Sequence, residues 1–225
     1  MQAYLAHSPT WGITQPRHFC YDRRHHKFGT MISKDERIHY RRKLRPYLAI
    51  SMALFIAGGL LGALATFYAP HIAQYFNQNV GEFVKLFRAL PKLALAAAIF
   101  LNNTIKALLV IVGGLALGLF PVIFLLANGA ALGFVLSASM QSRGLLTALL
   151  AILPHGIFEL PAIFLATGMG LLLGRCAIRK LLCPDALSIR SELTLALRFF
   201  VRIVVPLLAI AALVESFLTS ILVTP

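Results

Sequence analysis

"YLAISMALFIAGGLLGALATFYA", Tyr47 to Ala69, decides the fold. It carries no charged residue, and at about 1.5 Å of rise per helical residue it is long enough to cross a hydrocarbon core of about 30 Å. Aromatic residues stand near both ends, where a membrane-spanning helix meets the headgroups. The rest of the 225 residues agree, being 59% hydrophobic and only 13% charged, where soluble domains carry about 25% charged residues. This composition describes an integral membrane protein, all-α and polytopic. The formal net charge of +13 does not point to nucleic acid, because the basic residues flank apolar runs and no recognition motif accompanies them.

Upstream of this span, residues 1–46 form a basic arm with ten Lys or Arg against three acidic residues. It has no apolar stretch that would serve as a signal peptide. The arm is expected to be cytoplasmic and disordered at its start. "HFCYDRRHHK" (His18 to Lys27) brings one Cys and three His together, but its spacing matches no common zinc pattern, so no metal or other cofactor is expected. Downstream, Pro70 ends the span. Apolar residues then recur at Ile72, Phe76, Val80, Phe83, Phe87 and Leu90, which is the stripe of an amphipathic helix over about 72–90 lying on the membrane surface.

Four further spans are expected near 92–113, 117–140, 145–174 and 199–223, giving a single transmembrane domain over 47–223. A second parse of 93–127 makes Leu93 to Leu101 a re-entrant half-helix and Thr104 to Ala127 a full span. The 145–174 span is long, and with Pro154 and Pro161 inside it a broken or tilted helix is expected. The amino arm and the 175–198 loop together carry fifteen basic residues, against four in the opposite connections. By the positive-inside rule the amino terminus is cytoplasmic and the carboxyl terminus extracytoplasmic.

Gly58 and Gly62, Gly114 and Gly118, Gly129 and Gly133, and Gly170 and Gly174 each make a GxxxG spacing, one in each of four apolar segments. Such spacing lets helix backbones approach closely in lipid, so the spans should form a compact bundle, and one of these faces is available for a homo-oligomer.

Several polar residues interrupt the apolar runs: Asn102, Asn103 and Lys106, then Asn128, then His155 and Glu159 in "LPHGIFELPA" (Leu153 to Ala162). His155 and Glu159 are one helical turn apart and able to meet. A carboxylate at mid-membrane depth costs about 2.5 kcal/mol or more unless it is protonated, paired or hydrated. Pro154 and Pro161 lack backbone donors and leave the carbonyls of Leu150 and Ile157 in want of partners. Side-chain amides of Asn102, Asn103 and Asn128 are suitable donors. Lys106 is expected to snorkel toward the cytoplasmic face.

The ordered set "NN" at Asn102 and Asn103, "NGAALG" at Asn128 to Gly133, "PHGIFELPA" at Pro154 to Ala162 and "GMG" at Gly168 to Gly170 resembles the stage II sporulation protein M family of integral membrane proteins. The similarity covers roughly Tyr47 to Val223, and Pro-His-Gly followed by Glu is its most specific part. The resemblance implies a polytopic scaffold that localises peptidoglycan-remodelling hydrolases at a septal membrane, although many relatives occur in organisms that make no spores. Asn102, Asn103, Asn128, Gly129, Pro154, His155, Gly156 and Glu159 carry over as signature positions of unassigned chemistry.

Three roles compete for the polar cluster. It can hydrogen-bond helices together in a scaffold whose partners are the bilayer and membrane or extracytoplasmic proteins. It can instead be a proton or cation path between interrupted helices, as in transporters. Catalysis is not expected: His155 is the only histidine in a span, and neither HExxH nor GxSxG occurs.

Overall fold

A computed structural model describes residues 34–68, 90–182 and 188–219. The surface helix expected over 72–90 and most of the amino arm lie outside the described residues. Those described form five helices: α1 (Lys34–Tyr68), α2 (Lys92–Gly113), α3 (Leu119–Arg143), α4 (Leu145–Leu182) and α5, which begins at Ile189. Each is long and apolar enough to cross a membrane. The chain is thus a multi-pass membrane protein with five candidate spans, and α2 is one continuous helix rather than a re-entrant half.

One expectation about helix geometry needs correction. α4 runs unbroken through Pro154 and Pro161. Two missing donors are tolerable in so long a helix, because neighbouring groups in a membrane bundle can take up the freed carbonyls. The departure from α geometry lies in α5. Its first segment, Ile189–Phe199, passes into a π-turn at Phe200–Val204, then α-helix at Val205–Val214 and a second π-turn at Glu215–Thr219. Pro206 cannot donate to the Arg202 carbonyl, and one residue earlier the Val205 N–H reaches back to Phe200, a π-type bond that absorbs the irregularity.

The glycines decide which spans touch. A methyl group at Gly58 would strike the Leu126 backbone, and one at Gly62 the Ala130 carbonyl. From the other side, Gly129 meets the Phe55 carbonyl and Gly133 the Gly59 carbonyl. α1 and α3 therefore run parallel, backbone against backbone. The second seam pairs Gly114 with Gly170 and Gly118 with Gly174. Here the tight α2–α3 turn, with Leu117 at φ 56° and Gly118 at φ 78°, lies along α4. Glycine suits this left-handed position, which costs other residues steric strain. All eight GxxxG glycines are occupied inside the chain, so an oligomer would need another surface.

α1, α4 and α5 extend past the α2–α3 turn at one end of the bundle, the basic end. There Tyr40, Leu44 and Tyr47 of α1 are buried with Leu173 of α4 and Ala196 and Phe199 of α5. The Tyr40 and Phe199 rings sit 5.1 Å apart. Lys43 Nζ donates to Glu192 at 2.6 Å, tying α1 to α5, and Arg175 donates to the Tyr47 hydroxyl at 2.8 Å, tying α4 to α1. The arm is helical from Lys34, and α5 starts well before the span expected at 199.

Candidate functional site

α4 is the most buried of the five helices, and α2 and α3 each pack more against it than against one another. They leave a cleft whose floor is α4. In that cleft Asn103 and Lys106 of α2, Phe124 and Asn128 of α3, and Glu159 and Ala166 of α4 share a cavity of about 40 Å³. A single water needs about 10–15 Å³ of such space, so the cavity has room for a few waters. Counting from the basic-end turn at Gly114–Gly118, Asn103 and Asn128 stand about 15 Å up their helices. Glu159 stands about 22 Å up α4 from Gly174. Both positions lie within the apolar spans rather than at their ends.

The structure brings together Asn103, Asn128 and Glu159 around one cavity. Glu159 is buried and engaged within the chain. Asn128 donates to the Phe124 carbonyl one turn back at 2.7 Å, which leaves its side-chain oxygen as an acceptor. Asn102 does not enter the cavity: it is exposed and donates to Asn103 Oδ1 at 3.2 Å. Adjacent residues point about 100° apart around a helix, so only one of the Asn pair can face inward. The side chains of Pro154 and His155 lie outside the described residues. Gly156 is half-buried with only Leu160 nearby, Pro161 is exposed, and Gly129 belongs to the α1–α3 seam.

Lys106 is the residue the sequence did not place with this group. It lines the cavity beside Glu159 and Asn128. Helix side chains lean toward their own amino terminus, and the amino end of α2 is the end remote from the basic one. Lys106 remains exposed on the bundle's flank. A cation at that depth costs about 2.5–3.5 kcal/mol on insertion scales when nothing compensates it.

A second polar link crosses α1 and α4. Thr167 and Ser51 are both fully buried. The Thr167 hydroxyl donates to the Ile163 carbonyl at 2.8 Å and lies 3.1 Å from Ser51 Oγ. At the end remote from the basic one, Lys92 Nζ stands 6.0 Å from the centre of the Phe217 ring. Among the described residues no three His, Cys, Asp or Glu side chains come together as a metal site.

The model of the stage II sporulation protein M family matches residues 51–220. The chain belongs to this family. The match spans both glycine seams and the whole polar cavity, so the bundle described here is the family's shared membrane domain, while the basic extension of α1 before residue 51 lies outside it. Neither the curated proteins nor the solved structures yield a match to the chain.

Proposed function

We propose that this member of the sporulation protein M family is a membrane scaffold, an assembly partner that holds envelope-associated proteins at the bilayer. The observation that carries this reading is the way the bundle is closed. Four helices are locked backbone to backbone at eight glycines, and the polar cluster they surround keeps space for only a few waters. A rigid frame with a small polar centre suits holding partners better than moving solutes. On this reading Asn103, Asn128 and Glu159 act as internal fasteners, and no residue is assigned a catalytic role.

The orientation proposed with it has the basic end in the cytoplasm, since α1, α4 and α5 gather Arg41, Arg42, Arg45, Arg175 and Arg190 there, all exposed. The carboxyl terminus is then extracytoplasmic.

Affinity purification of the full chain from its native membrane in mild detergent tests the proposal. A scaffold retains a reproducible set of membrane or extracytoplasmic proteins, and Glu159→Gln leaves that set unchanged. The competing reading, a proton or cation path, draws on the shared cavity of Asn103, Asn128 and Glu159. It requires flux in liposomes that Glu159→Gln abolishes while the fold persists. A chain that purifies alone and conducts would replace the scaffold reading.

A further inference from the structure

We propose that the face of α2 bearing Asn102 and Lys106, with the cleft it shares with α3, docks a partner's membrane-spanning helix that carries a carboxylate at mid-membrane depth. The inference rests on the scaffold reading above and names the surface and the class of partner.

Asn102 and Lys106 are one helical turn apart and both exposed, so they share a stripe of the α2 surface. Around them Leu101, Ile105 and Leu109 are exposed as well. An apolar stripe carrying an amide and an ammonium is not a surface that lipid tails solvate. Polar side chains that leave a helix toward the membrane are expected to find a hydrogen-bonding or charged counterpart. Among the described residues Lys106 makes no hydrogen bond and no ion pair. Helix side chains lean toward their own amino end, which in α2 is the end away from the basic headgroup region.

α2 and α3 pack on α4 in preference to each other, and the small cavity between them, lined by Lys106, Asn128 and Glu159, reaches the bundle's flank at the exposed Lys106. Glu159 is buried and engaged within the chain, so it does not supply the outward-facing charge.

Charge identifies the occupant. In a two-fold pair of this chain about the membrane normal, residues at one depth meet their own copies, which sets Lys106 against Lys106. The other carboxylates described within or beside the spans lie elsewhere, Glu192 on Lys43 at the basic end and Glu215 near the far end of α5. A second copy therefore offers no accessible carboxylate at this level among the described residues. A different polypeptide with an intramembrane Asp or Glu does, and the amide of Asn102 one turn away adds a donor and an acceptor for register.

The test uses the full chain in its native membrane, with a photoreactive phenylalanine analogue placed at Ile105 or Leu109, and at Leu60 on the exposed flank of α1 as the control. The expected result is a discrete protein adduct from positions 105 and 109 but not 60. The attached peptide should come from a membrane-spanning segment that contains Asp or Glu. Lys106→Gln should lower the adduct yield about tenfold, which corresponds to about 1.4 kcal/mol, while Lys106→Arg preserves it. Size-exclusion profiles of the purified variants confirm that the chain still folds. Adducts with lipid or a second copy alone, an attached segment without a carboxylate, or a yield unmoved by Lys106→Gln would each overturn the proposal. If partners still co-purify under those results, the scaffold reading stands and this surface is wrong. If no protein is captured by crosslinking or purification, both fall.

Discussion

Lys43 and Lys106 are the same side chain on two ends of one problem. Lys43, on the basic extension, closes its charge inside the chain: it reaches Glu192 at 2.6 Å, and the pair is 28% and 11% exposed. Lys106, deeper in the bundle, lines a polar cavity yet leaves its surface open on the flank. Outside the apolar layer, three helices could lengthen until α1 and α5 met, and the ion pair formed between them. Within the layer, two short-linked helices splay over α4 and leave the cation at the edge of a cleft. The first region is self-contained, whereas the second is completed by what it meets in the membrane.

The comparison breaks most completely if the frame holding both regions is lost. Gly133→Val places branched carbons against the Gly59 carbonyl, a backbone clash that no rotamer relieves. Destabilisation of about 3 kcal/mol or more is expected, seen as aggregation or loss of the monodisperse peak on size exclusion. Glu192→Ala comes next. It strands a part-buried ammonium, and with the cost reduced for solvent exposure about 1–2 kcal/mol is expected, read by thermal unfolding in detergent. Much of that loss should return in the exchanged pair Lys43→Glu with Glu192→Lys.

Smaller still is Thr167→Val. It removes a neutral polar link between α1 and α4 deep in the bundle, and about 0.6 kcal/mol is expected, the usual size of such bonds in membranes. A loss several times larger, measured by the same unfolding, would mean that buried polar contacts carry more of this bundle than its glycines do. Last is Lys106→Gln, for which the purified chain should change by less than about 0.5 kcal/mol.

Much of this architecture was legible in the sequence. Apolar runs of spanning length located α1 to α5, because in lipid a helix must satisfy its own backbone and the pattern is correspondingly plain. The GxxxG spacings announced close packing but not which helices pair, since spacing describes one surface and contact needs two. Asn103, Asn128 and Glu159 were recognisable as a mid-membrane set. The inner extension was missed, although its signal was present: Tyr40, Leu44 and Tyr47 fall at helical spacing within "HYRRKLRPY", a buried stripe hidden among basic residues. The break assigned to Pro154 and Pro161 failed because a missing donor weakens a helix without ending it when neighbours hold both halves. Lys106 was read only for its distance to the membrane edge, so its place on the cavity wall was not anticipated.

The contrast between the two lysines is tested most directly by thermal unfolding of the purified full chain in detergent, comparing Lys43→Gln with Lys106→Gln. Lys43→Gln should lower the midpoint by about 3–6 °C, as a loss of about 1–2 kcal/mol implies for a chain of this size. Lys106→Gln should leave it within about 2 °C. An equal fall in both variants would mean that Lys106 is satisfied within its own chain and that the cleft between α2 and α3 needs no partner.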